Sequence, residues 1–269
     1  MAKKTGKTTK VALIYDFDGT LSTTDMQDYG LIPEFGMTPE EFWPIANQWS
    51  VDNGADQVTG SMYFFVKTAR KNFQKAGKNI IYYDGVEEWF NRITKYGKEL
   101  GLKIEHYIIS AGYEEILEGC KIYKYFKNVF GCSFAYDKDG NPVWPARVVN
   151  YSTKTQYLSK INKGLGKYED RAVNEFMPDE DRPIPFRRMI YFGDGGTDIP
   201  SMKLTKERNG TAIAVYNPKD HSAAAETKAL IDENRALSEE NTELQNTISE
   251  LQKTNARLIA EAEQLDRRL

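Results

Sequence analysis

An α/β fold, an open Rossmann-like parallel sheet with helices on both faces, is what this sequence predicts, and three observations predict it. Short apolar runs that stop at polar loops recur along the chain, as buried parallel strands do. Helix-period patterns lie between several of those runs, and strands alternating with helices imply an open sheet. One long stretch after the first run, 24–83, has no strand pattern and is rich in Trp, Tyr, Phe and polar helix formers, which predicts a mostly helical insertion there. The 269 residues suffice for one large domain with such an insertion.

In chain order, residues 1–10 form a basic tail without the apolar segment of a signal peptide. Its Gly6-Lys7-Thr8 resembles the end of a nucleotide-binding P-loop. The earlier glycine of that motif falls on Met1 and no strand can precede it, so a solvated tail is the better reading. Val11 to Tyr15 reads as the first strand and runs into the polar loop Asp16 to Thr24. Further strands are expected at Ile104 to Ile109, Val129 to Phe134, Met189 to Phe192 and Thr211 to Val215. Helices are expected at Val86 to Leu100, Glu114 to Phe126 and Thr155 to Ile161. Asp139-Gly140-Asn141 between apolar flanks predicts a hairpin turn. The core domain is thus read as 11–23 plus 84–222.

Composition excludes several classes of function. A formal net charge of −3 gives no overall basic field, so no nucleic-acid partner is expected. No apolar stretch approaches the ~20 residues that cross a bilayer, so no membrane partner is expected and a cytoplasmic location is. Cys120 and Cys132 lack metal or redox spacing and read as buried, reduced thiols. His106 and His221, the two histidines, form no triad or zinc site.

The chemistry gathers at the ends of three predicted strands, where open α/β sheets bind ligands. Asp16 and Asp18 follow the first strand, and residues two apart on an extended chain point the same way. Gly19 lets the chain turn and frees backbone N–H groups to approach an anion. Two neighbouring carboxylates repel unless a cation separates them, and a hard cation such as Mg²⁺ takes oxygen ligands. Ser110 ends the second run, and Gly193-Asp194-Gly195-Gly196-Thr197-Asp198 ends the fourth. Lys154 opens a helical pattern between them. Taken singly, Ser110 would be a helix cap, Lys154 a surface lysine and 193–198 a tight turn.

Together and in this order, Asp16 to Thr20 as DxDGT, Ser110, Lys154 and Gly193 to Asp198 as GDGxxD resemble the haloacid dehalogenase superfamily of phosphohydrolases, in particular its phosphoserine-phosphatase-like branch. The likeness covers roughly Val11 to Tyr216, and the insertion 24–83 looks like that family's helical cap. It implies that Asp16 is a nucleophile forming an aspartyl-phosphate, and that Asp18 is the general acid and base. It implies Mg²⁺ held by the Asp16 carboxylate, the Asp18 backbone carbonyl and Asp194, with Asp198 behind through water. Ser110 and Lys154 would hold the phosphoryl group. A second carboxylate suits a phosphate ester, whose alkoxide leaving group needs a proton, and is of no use to a dehalogenase.

The implied function is hydrolysis of a small phosphorylated metabolite. A phosphotransferase or phosphomutase is the alternative within enzymes, and a non-catalytic assembly module is the alternative from another class. Trp43, Trp49, Tyr63, Lys67 and Arg70 of the cap are candidates to line a pocket, although aromatic stripes on helices are more often core.

The segment 223–269 stands apart. Leu230, Leu237, Leu244, Leu251, Leu258 and Leu265 recur every seven residues, with Asn234, Asn241, Ile248, Asn255 and Ala262 at the other seam position. A leucine stripe of this kind predicts a coiled coil. Asparagines at the a positions favour a parallel pair, so a homodimer through this helix is expected.

Overall fold

The computed structural model describes residues 8–217, apart from 67, 69, 167, 169 and 170, together with 243, 246, 247, 249, 250 and 253. Lys67, His221, the start of the basic tail and the seam of the leucine repeat, Leu230 to Leu265, therefore lie outside the described residues, as does the side chain of Arg70. The chain divides into two compact units, one up to Val215 and one from Tyr216 onward. In the second unit Glu243, Asn246, Thr247, Ser249, Glu250 and Lys253 are helical and exposed.

Six strands form one sheet in the order β4-β3-β2-β1-β5-β6. These are β1 (Thr9–Tyr15), β2 (Leu102–Tyr113), β3 (Phe126–Tyr136), β4 (Pro142–Arg147), β5 (Met189–Gly193) and β6 (Thr211–Ala214). All neighbours are parallel except β3 and β4, which make the predicted hairpin. Its turn is held by the Asp137 carboxylate, which accepts from the N–H groups of Asp139 and Asn141, while Gly140 takes φ +81°. The central strand β1 is the most apolar, and Ala12 to Tyr15 are all buried.

Between β1 and β2 lie three helices of the insertion, α1 (Pro39–Asp52), α2 (Gln57–Phe65) and α3 (Arg70–Gly77), followed by α4 (Val86–Glu99). Local signals set their starts. Pro39 occupies the first turn of α1, and the Glu41 carboxylate accepts from Thr38 N at 2.9 Å. Asp56 caps α2 by accepting from Val58 N at 2.9 Å. Gly60 lets α2 approach α1, since a Cβ there would stand 1.8 Å from Ser50 Oγ. Phe42, Phe65 and Phe73 are fully buried, and Tyr113 at the end of β2 ties the insertion to the sheet through a 2.7 Å bond to Ser61 Oγ. Trp49 stacks on Tyr63 with ring centroids 4.2 Å apart, and Trp43 donates to Asp28. These aromatics pack largely on one another and on neighbouring helix residues.

Two expectations need correction. The helix expected over 114–126 ends after one turn as α5 (Glu114–Leu117), with a short 3-10 turn at Tyr123–Tyr125. Here α5 is pressed against α3: a Cβ on Gly119 would lie 2.0 Å from Gln74 O, and one on Gly77 would lie 2.0 Å from Ile116 O. This contact is between segments distant in sequence, and no local pattern announces it. Second, Ser110 is inside β2 rather than at its end, because β2 continues through Tyr113 with an irregular register against β3. The remaining helices are α6 (Lys154–Lys163) and α7 (Ile199–Glu207). No helix among the described residues is long and apolar enough to cross a membrane.

Candidate active site

Parallel strands β1 and β5 lie side by side and end together, which brings the loops after Tyr15 and Gly193 into contact. Asp16 N donates to Phe192 O at 2.9 Å, so the nucleophile candidate is still held by the sheet. The chain then folds back, with the N–H groups of Leu21 and Ser22 both bonded to Phe17 O. Gly19 at φ +70° makes that turn possible, and a Cβ at this position would stand 2.1 Å from Asp194 Oδ2. Glycine is therefore required here twice, once for the backbone and once for the neighbour. Thr20 closes the contact by donating from Oγ1 to Asp194 Oδ1 at 2.8 Å.

Lys154 is fully buried at the first turn of α6 and organises the centre. Its Nζ lies 2.8 Å from Asp16 Oδ2, 2.8 Å from Asp198 Oδ1 and 3.3 Å from Thr197 Oγ1. The Asn150 side chain fixes the turn before α6 by accepting from the N–H groups of Ser152 and Thr153. Asp198, also fully buried, takes a second bond from the Tyr191 hydroxyl at 2.8 Å. Carboxylate oxygens of Asp16, Asp194 and Asp198 all come within 4.8 Å of one another.

Three carboxylates thus share one buried ammonium. Burial pushes the Asp16 carboxyl well above its ordinary pKa, the charge of Lys154 opposes that, and Asp198 and Asp194 add to it. Burial alone would make Lys154 easier to deprotonate, but the charges of Asp16 and Asp198 outweigh it and keep the ammonium protonated. Asp194 is raised by loss of solvent, against the Thr20 bond. Surplus negative charge from hard oxygen donors is what a divalent cation such as Mg²⁺ offsets, and these residues fit one.

The Asp18 carboxylate stands outside this cluster. It accepts from Met26 N at 2.8 Å, and burial, then Asp25, then Asp16 raise its pKa well above the ordinary range. Gly112 leaves room for it, since a Cβ there would meet Asp18 Oδ2 at 3.0 Å and Met26 Cε at 2.1 Å. Ser110 is fully buried, and its Oγ accepts from Gly112 N at 2.9 Å. The structure thus brings Asp16, Lys154, Asp194 and Asp198 into direct contact or cation-binding distance. Asp18 stands beside the cluster, and Ser110 is bonded to its own loop.

Sequence reasoning missed Thr20, Tyr191, Thr197 and Asp25. The tyrosine reads as core, the threonines are small parts of longer motifs, and Asp25 lies in a polar turn. Asp25 is raised to about 6 by loss of solvent and then by Asp28, and its charge acts on Asp18.

No family profile matches the chain. It is 28% identical over 262 residues to an uncharacterized protein of Borreliella burgdorferi, covering 83% of this chain and 88% of that one. Among solved structures it is similar to a HAD family hydrolase of Salmonella enterica serovar Typhi, at a TM-score of 0.50 and 16% identity, over 76% of this chain and 68% of that one. It is also similar to a probable phosphoserine phosphatase of Vibrio cholerae, at a TM-score of 0.51 and 12% identity, over 80% of this chain and 59% of that one. At such identity the likeness is one of fold: the chain has the α/β architecture of HAD hydrolases, with an acidic cluster at Asp16, Asp194 and Asp198.

Proposed function

We propose that this protein is a Mg²⁺-dependent phosphomonoester hydrolase that acts on a small phosphorylated metabolite through a phosphoryl group carried on Asp16. The observation that carries the reading is the buried Lys154 ammonium bridging Asp16 and Asp198, with Asp194 beside them. A surface turn of acidic residues has no need of a fully buried lysine.

Asp16 is oriented through both oxygens, Oδ2 by Lys154 and Oδ1 by its neighbour Phe17 N at 2.7 Å. In the first step an Asp16 oxygen bonds to phosphorus as the ester P–O bond breaks, and Asp18 gives its proton to the departing alkoxide. That role needs Asp18 neutral at the start, and burial, then Asp25 and Asp16, favour its neutral form. In the second step Asp18 takes a proton from water, which attacks phosphorus and releases phosphate from Asp16. Lys154 offsets negative charge on Asp16 and on the phosphoryl oxygens throughout. Asp16, Asp194 and the Asp18 carbonyl would hold the metal ion, with Asp198 behind them. When bound, the ion supplies neutralisation of the phosphate charge. Ser110 would turn its hydroxyl to the phosphoryl group.

Hydrolysis of para-nitrophenyl phosphate, with Mg²⁺, with Ca²⁺ and after exhaustive chelation, tests the reading. Turnover with Mg²⁺, little with Ca²⁺ and none after chelation is expected, because calcium takes more ligands at longer distances. Folded protein that is inactive with Mg²⁺ contradicts it.

We further propose that 223–269 pairs with its copy in a second chain, since a leucine stripe on one helix needs a partner stripe to bury it. Light scattering should give a dimer for the full chain and a monomer for a version ending at Ala229. A monomeric full chain overturns the pairing.

A further inference from the structure

The opposite edge of the sheet, where the parallel strands begin, carries a second concave surface. It measures about 570 Å³, within the roughly 300–1,000 Å³ ordinary for a ligand pocket. Its walls carry Lys95 and Lys98 from the last turns of α4, Lys103 at the start of β2, and Lys124 and Lys127 around the start of β3. Lys10 pairs with Lys103 in the sheet, and Asp16 lies six residues further along β1. At the rise of an extended strand this puts the Lys103 wall about 20 Å from the candidate active site, and His106, level with Leu13, about 10 Å from it.

Five lysines line the groove and one carboxylate, Glu105, lies among them. Glu105 is already shared, with Lys10 at 3.5 Å, Lys103 at 3.1 Å and Lys127 at 2.7 Å, and it also accepts from the Tyr107 hydroxyl at 2.8 Å. Among the described residues no carboxylate comes within 4.0 Å of Lys95, Lys98 or Lys124. Lysines at the end of a helix offset its dipole, which accounts for Lys95 and Lys98 taken alone. It does not account for Lys103, Lys124 and Lys127 converging on the same hollow from β2, from the turn before β3 and from β3 itself, in a chain whose net charge is −3.

The floor of the groove includes Thr94 and His106. Trp89 Nε1 donates to the Tyr15 hydroxyl at 2.8 Å, and that hydroxyl lies 3.1 Å from His106 Nδ1. The other ring nitrogen, Nε2, lies 3.0 Å from Thr94 Oγ1. Thr94 thus adds a neutral hydroxyl to a groove lined by ammonium groups.

We propose that this groove is a binding site for an oligophosphate, a chain of two or three linked phosphates whose spread charge matches lysines arriving from three elements. A single phosphate would engage one wall. The shared chemistry has two sources, a free inorganic chain or the triphosphate of a nucleotide. The inference stands apart from the hydrolase reading, since none of these residues touches the Asp16 centre.

The test is a titration of the full chain with inorganic tripolyphosphate in magnesium-free buffer, followed by the ring N–H signals of its histidines. The chain has two histidines, so a His221→Gln variant assigns the His106 signal. A saturable shift at His106 is expected. A Lys95→Ala, Lys98→Ala, Lys124→Ala variant should bind roughly tenfold more weakly, the combined effect of three exposed charge contacts. A control with Lys121, Lys203 and Lys206 changed to Ala, the same charge removed elsewhere, should bind as wild type. Adenosine triphosphate run in parallel separates the sources: equal affinity assigns the bare chain, and tighter binding assigns a nucleoside contact as well. The proposal is overturned if His106 does not respond, if the control loses as much as the groove variant, or if sulfate at matched ionic strength gives the same shift.

Discussion

The two ends of the central sheet are electrostatic opposites. Where β1 and β5 end, one buried ammonium, Lys154, stands among Asp16, Asp194 and Asp198. Where β1, β2 and β3 begin, one buried carboxylate, Glu105, stands among Lys10, Lys103 and Lys127. The counter-charge fixes geometry in both, yet the burial differs. Lys154 and Asp198 are cut off from water, so the attraction between them is less screened than at the surface. The lysines around Glu105 are partly or largely exposed, so water and salt screen them. The proposed chemistry thus draws on the dry cluster and the proposed recognition on the wet one.

The largest effect expected from that contrast comes from the dry end. Asp16→Asn keeps shape and removes the nucleophile, so kcat should fall by about a thousandfold or more. Lys154 retains Asp198 as a partner in this variant, and the melting temperature should stay close to wild type. Activity above background in purified Asp16→Asn protein would remove the covalent reading.

A smaller, substrate-dependent effect separates Asp18 from its neighbour. Asp18→Ala should slow hydrolysis of alkyl phosphates by about a hundredfold, and that of aryl phosphates, which leave without a proton, by far less. Equal losses on both would deny Asp18 the role of acid.

At the wet end the effects are smallest and appear in stability. Loss of solvent opposes ionisation of Glu105, but its bonds to Lys127, Tyr107 and Lys103 win and hold its pKa at about 2. A depressed carboxyl contributes stability that is complete above its unfolded pKa of about 4.3 and lost as pH falls toward the folded value. Burial likewise holds His106 at about 4, so its contribution is complete above about 6.5 and lost as pH falls toward that value. Glu105→Gln should cost on the order of 1 kcal/mol at neutral pH, discounted for the exposed lysines, and less in high salt. Denaturant unfolding at pH 7 and pH 4 measures both. A larger loss at pH 4 than at pH 7 would contradict the sign.

The dry end was legible in the sequence because its carboxylates follow apolar strands in recognisable spacing, as Asp16-Phe17-Asp18-Gly19-Thr20 does after Val11 to Tyr15. Lys154 was legible as the cation such a set requires. Tyr191 was not, because a strand tyrosine looks like core until its hydroxyl is seen on Asp198. The wet end was hidden for a different reason. Lys10, Lys103, Glu105 and Lys127 come from three segments that meet only through strand register, and Lys10, Lys103 and Lys127 fall just before the apolar runs that mark the expected strands. Helix α5 was overextended because Gly77 and Gly119 meet only in the folded chain.

The most direct measurement is to quench turnover in acid and locate any phosphoryl group left on the protein by peptide mass spectrometry. A phosphoryl group on the peptide carrying Asp16, absent from Asp16→Asn protein handled the same way, is the predicted result. A phosphoryl group on Ser110, or an active enzyme that never retains one, would contradict the account.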